Sequence, residues 1–149
     1  MTKTIPFIGY NNALHKWVLN EIAEEMGIKG EPIKRADDGL AKITAEQFPL
    51  IFVNEEVAKG LKMNLPEGMC VDDYTGIACH VISEIRKSPM NADSKVVVLY
   101  HQYKETSFSD DDPYLRPYLA AGADGGINLV KYGVKPPTFV DKLKEFLPQ

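Results

Sequence analysis

The sequence has little cysteine, few histidines, no excess of positive charge and no long apolar run. Only Cys70 and Cys79 are present, and their spacing fits neither a disulfide framework nor a zinc quartet. His15, His80 and His101 are scattered without metal-ligand spacing, so no metal is expected, and with no phosphate-binding glycine loop after a strand no other cofactor is expected. Lys and Arg number 17 against 21 Asp and Glu, a net charge of -4. That balance supplies no basic field to draw in nucleic acid or an anionic membrane. The longest apolar runs, Phe48 to Val53 and Val96 to Tyr100, fall far below the roughly 18 residues a membrane helix needs. The first residues, interrupted by Asn11 and Asn12, lack the apolar core of a signal peptide. A cytoplasmic protein is the expectation. No P-loop, no three-glycine dinucleotide fingerprint and no nucleophile elbow is present, which removes the common phosphate-binding and hydrolase signatures.

What is present is enough chain, 149 residues with 44% hydrophobic side chains, for one domain spanning 1–149. Strand-like and helix-like runs alternate along it. Thr4 to Gly9 reads as a first strand, and Leu14, Val18, Ile22 and Met26 form a helical stripe that Gly27 ends. Glu31 to Ala36 is the candidate second strand. Asp37 or Asp38 would then cap a second helix. Phe48 to Val53 is a continuous apolar run suited to a strand buried on both faces. A long loop at about 55–71, punctuated by Gly60, Pro66 and Gly68, precedes a third helix that starts at Asp73 or Thr75 and stops at Ser88-Pro89. Lys95 to His101 is a fourth strand, Tyr114 to Ala121 a short helix, and Gly126 to Val130 a fifth strand. Thr138 and Asp141 resemble a capping box for a closing helix with Phe139, Val140, Leu143, Phe146 and Leu147 on its apolar face.

Strict alternation predicts an α/β fold, a doubly wound five-stranded parallel sheet of flavodoxin-like topology in a three-layer sandwich. Ligands of such sheets lie beyond the carboxyl ends of the strands. The expected functional edge therefore gathers Gly9 to Asn12, Asn54 to Glu56, Tyr100 to Gln102 and Lys131 to Lys135.

The order of these pieces resembles the receiver domain of bacterial response regulators, the CheY-like family, over nearly the whole chain. The likeness is carried by Arg35-Ala36-Asp37-Asp38-Gly39-Leu40-Ala41, by Phe48-Pro49-Leu50-Ile51-Phe52-Val53-Asn54, by Ala121-Gly122-Ala123-Asp124 and by Lys135-Pro136. It implies a two-component signalling domain that is a regulator and not an enzyme. The family's acidic pair, which holds Mg²⁺ because hard cations take charged oxygen ligands, falls on Tyr10 and Asn11. The phosphorylated aspartate falls on Asn54, whose amide is a poor nucleophile. The small hydroxyl residue falls on Tyr100, or on His101 with a one-residue shift, and the lysine on Lys135 or Lys131. A degenerate, pseudo-receiver domain that acts through protein–protein contact is the expectation.

Partners in that reading are signalling proteins or a second copy of the chain. The expected contact face carries Tyr114, Tyr118, Lys131 and Tyr132, with Tyr118 equally suited to packing against the sheet. Two alternatives stand beside it. One is a receiver that keeps unusual phosphorylation or metal dependence through Glu55, Glu56 or Asp110 to Asp112. The other is a small α/β enzyme using His101 with Glu55, which would need a pocket and an orienting partner.

Overall fold

Five strands, β1 (Thr4–Ile8), β2 (Lys29–Ile33), β3 (Leu50–Asn54), β4 (Lys95–Tyr100) and β5 (Gly125–Asn128), alternate with helices at Ala36–Ala45, Tyr74–Lys87 and Arg116–Ala121. The computed structural model describes residues 4–9, 20, 22–24, 26–54, 74–100, 115–128 and 143–146. Residues 20, 22–24 and 26 are helical as well, and Gly27, at φ 66°, ends that run with its N–H on Ala23 O. The strands pair in parallel throughout, in the order β2-β1-β3-β4-β5. The doubly wound α/β architecture is as the alternation predicts.

Each strand sends alternate side chains to opposite faces, and the apolar sequence sorts accordingly. Ile8, Ile51, Val53, Val96, Val98 and Tyr100 meet the three helices through Ile43, Val81, Ile82, Ile85, Leu115 and Tyr118. Ile5, Phe7, Leu50, Phe52, Val97 and Leu99 face the opposite way, toward Ile22, Leu143 and the partly buried Met26 and Phe146. This is why Leu50 to Val53 and Val96 to Leu99 read as unbroken apolar runs: both faces are covered. Each such fully buried side chain is worth about 1.5–3 kcal/mol.

Several boundaries differ from the sequence reading, each for a local reason. β2 runs two residues earlier at its start, from Lys29, because it pairs with β1 from Thr4↔Lys29 to Ile8↔Ile33. Pro32 is accommodated there because β2 lies at the sheet's edge. Ala36, expected in that strand, instead opens the helix. The cap of that helix is Arg35, with no side-chain capping bond, and Asp37 and Asp38 sit in its first turn, where their charge favours the helix dipole. Phe48 is outside β3 because its N–H is taken by Asn91 Oδ1 at 2.8 Å. β5 begins at Gly125, and the short helix begins at Arg116. The long loop at 55–71, the capping box and most of the closing helix lie outside the described residues; of 143–146, the first two are helical.

The amino-terminal end of the sheet is tied together by the buried Asn91 and the partly buried Arg86, whose roles the sequence does not reveal. Asn91, with no exposure, donates from Nδ2 to Ile43 O (2.6 Å) and Glu46 O (2.7 Å), and its Oδ1 accepts from Phe48 N–H. Arg86 donates from Nε to Gly122 O at 2.7 Å, from Nη1 to Ser94 O at 2.6 Å and Ala92 O at 3.0 Å, and from Nη2 to Asp124 Oδ2 at 2.7 Å. The same Asp124 oxygen accepts Val96 N–H at 2.8 Å. The Ala121 to Asp124 turn thus has a structural task, which is to receive the end of the Tyr74–Lys87 helix and the start of β4.

Candidate functional site

In this strand order the sheet changes winding direction between β1 and β3, and a crevice is expected beyond their carboxyl ends. Two residues meet there. Gly9 follows β1 at φ 95°, a backbone region that side chains beyond glycine rarely adopt. Its N–H donates to Ile33 O at 2.7 Å, tying β1 to the end of β2. Asn54 ends β3 with no solvent exposure, and its Nδ2 donates to Gly9 O at 2.8 Å. A single hydrogen-bonded line therefore runs from β3 through β1 to β2 across the switch point.

Chemistry follows from the amide. A carboxylate accepts hydrogen bonds and offers none when ionised. In place of Asn54 it would set negative charge against the Gly9 carbonyl oxygen in a site closed to water, at a cost of desolvation and repulsion together. The contact seen here requires a donor. As a nucleophile toward phosphorus, the amide is poor.

Tyr100 ends β4, opposite Asn128 on β5, and is 3% exposed. Its ring lies against β5 where Gly126 lacks a side chain: a Cβ at Gly126 would stand 3.1 Å from Tyr100 Cε1. Of Tyr100 and His101, the two positions at which the sequence suggests a receiver's small hydroxyl residue, Tyr100 is a buried ring and His101 lies outside the described residues. Tyr118 also departs from the exposed-face expectation. It is 1% exposed and belongs to the apolar cluster with Tyr100, Leu115 and Val98. Its place in the short helix, four residues from Tyr114, let the sequence suit either role, and core packing takes it.

The remaining candidates, Tyr10, Asn11, Glu55, Glu56, His101, Asp110 to Asp112, Tyr114, Lys131, Tyr132 and Lys135, lie outside the described residues. Among the described residues, no group of three or more His, Cys, Asp or Glu side chains is arranged to hold a metal ion. Among them too, no helix is long and apolar enough to cross a membrane.

Comparison with solved structures gives the same architecture. CheY4, a chemotaxis response regulator of Vibrio cholerae, is 17% identical over 99% of this chain and 99% of its own, with a TM-score of 0.65. A CheY-like receiver domain from Methanospirillum hungatei is 22% identical, covering 97% of this chain and 93% of its own, at 0.61. A response regulator from Thermotoga maritima is 18% identical, covering 98% of each chain, at 0.67. No family model matches the chain, and no curated protein does. The fold is that of response-regulator receivers.

Proposed function

We propose that the chain is a receiver-like regulatory domain of the two-component type, single over 1–149, that is not phosphorylated at Asn54 and works by protein–protein contact in the cytoplasm. The observation that carries this reading is the Asn54 amide. It stands at the end of β3 in a receiver fold, and it is engaged as a hydrogen-bond donor to Gly9 O. A site built around a donor is unsuited to an anionic phosphoacceptor. Tyr10 and Asn11, aligned with the metal-holding acidic pair, bring no charged oxygen. The buried ring of Tyr100 stands where the phosphoryl group's hydroxyl partner would be expected.

Incubation with acetyl phosphate and Mg²⁺, followed by intact-mass measurement, tests the reading. An unchanged mass is expected, and a stoichiometric phosphoryl adduct would overturn it. Partner capture is assigned to Tyr114, Lys131 and Tyr132. Charge reversal at Lys131 or truncation of Tyr132 is expected to weaken self-association or capture of a signalling partner with little change in Tm. Binding that ignores both changes but is lost on altering the loop at 55–71 would move the interface to that loop.

A further inference from the structure

The Arg116–Ala121 helix is six residues long, well below the roughly 12–15 at which isolated helices are even marginal in water. Leu115 caps it without any side-chain hydrogen bond. Its position must come from what it rests on. Leu115, 7% exposed, lies directly over Gly126: a Cβ there would collide with Leu115 Cδ2 and stand 3.1 Å from both Tyr100 Cε1 and Val98 O. One turn on, Tyr118 is buried in the same cluster as Tyr100. At the far end Arg86 Nε donates to Gly122 O at 2.7 Å, and in the first turn Cys79 Sγ lies 3.4 Å from Pro117 O.

We propose that Tyr100, Gly126 and Leu115 form a fixed seat that keeps the Arg116–Ala121 helix in one position, so that the surface it presents is constitutive. The physical case has two sides. Movement toward the sheet is blocked, since Leu115 already occupies the side-chain space of Gly126. Movement away would draw Leu115 and Tyr118 out of the buried cluster they share with Tyr100 and open a cavity, which buried apolar sites resist steeply. A ring at the end of β4 and a glycine beside it on β5 thus act as a matched pair. Leu119, 43% exposed on this helix, is held outward by the same seat. The seat deepens the proposed function, resting on it only for the signalling role of the surface.

Amide hydrogen exchange of the full chain tests the seat. Gly126→Ala and Tyr100→Ala are expected to speed exchange at Leu119 to Ala123 by about ten-fold or more, through local opening, while amides of β1 and β3 keep their protection. Tyr100→Phe, which retains the ring, should leave the helix protected. Leu115→Ala empties the seat without adding an atom, and decides the matter if Gly126→Ala fails to fold. Unchanged helix exchange in Tyr100→Ala and Leu115→Ala, or loosening spread equally over the sheet, would overturn the seat. In a second arm the unaltered chain is treated with acetyl phosphate and Mg²⁺. Unchanged exchange at Leu119 to Ala123 is expected, and a shift there would overturn the fixed position. A mass adduct with unchanged helix exchange would instead reject the non-phosphorylated reading and leave the seat standing.

Discussion

Asn54 Nδ2 donates to Gly9 O across 2.8 Å, joining the ends of two adjacent strands in a place shielded from water. The partner is a main-chain oxygen 45 residues earlier, so only a side chain that can donate satisfies both groups. This separates Asn54 from an ionised aspartate, which accepts hydrogen bonds and offers none. The amide joins β3 to the residue after β1 where a carboxylate would have to be neutralised.

Asn54→Asp is accordingly expected to destabilise the fold at neutral pH by about 1–3 kcal/mol, the usual consequence of leaving a buried partner unsatisfied, with the burial of charge added. Burial beside a carbonyl oxygen would raise the introduced carboxyl's pKa in the folded state. Protonated, it offers a donor again, so the loss should be smallest in acid and grow as pH rises through the folded value. Urea unfolding of both chains at acid and neutral pH checks this. An equal loss at both would show that charge is not the cause.

Gly39→Ala sets two effects in opposition. Helix propensity alone favours alanine by about 1 kcal/mol inside a helix. Against it, a Cβ at Gly39 would lie 2.8 Å from Ile8 Cγ1, with Ile8 Cγ2 and Cδ1 at 2.9 Å. Ile8 is fully buried and branched at Cβ, so it has no free rotamer to yield into. Overpacking of this kind costs about 1–3 kcal/mol, and a net loss in chemical denaturation is expected. Net stabilisation would show that β1 and the Ala36–Ala45 helix can separate freely.

Much of this architecture is legible in the sequence because it follows from periodicity. The buried runs of β3 and β4 and the helix reaching Lys87 announce themselves through apolar spacing. The crevice at Asn54 is legible in its location and not in its bonding, since a backbone acceptor leaves no mark on the sequence. The roles of Arg86 and Asn91 are illegible for the same reason: the five oxygens to which they donate on Ile43, Glu46, Ala92, Ser94 and Gly122 are main-chain carbonyls. Tyr118 shows the remaining ambiguity, because a tyrosine in a short helix satisfies the pattern of an interface and of a core alike.

Arg86→Met is expected to cost more than the loss of an ordinary surface ion pair. Its contact with Asp124 is only part of its work, for three carbonyl oxygens depend on the same guanidinium. Hydrogen bonds involving a charged group are worth about 1.5–3 kcal/mol each, with strong non-additivity. Asp124→Asn should cost less, because an amide oxygen can still accept Val96 N–H. Thermal unfolding of the two variants in low and high salt separates the roles. A loss in Arg86→Met that salt abolishes would reduce the contact to screened Coulomb attraction.

The last expectation concerns alkaline pH. Lys42 Nζ lies 2.7 Å from Glu31 Oε2 and 3.3 Å from Glu46 Oε2, which ties the Ala36–Ala45 helix to the edge strand β2. The hydrogen bond to Glu31 is the main cause that holds the Lys42 pKa above its ordinary value, with help from Glu46 and some opposition from desolvation. The folded chain therefore holds this proton more tightly than the unfolded one. Stability from the pair is complete below the ordinary lysine pKa of about 10.4 and fades as pH rises through the higher folded value. Lys42→Met should lower Tm modestly at pH near 8 in low salt, and that gap should close at strongly alkaline pH. It should also shrink in about 1 M salt, where the screening length falls to about 3 Å. A gap that survives both conditions would assign the contribution of Lys42 to the packing of its aliphatic stem, not to its charge.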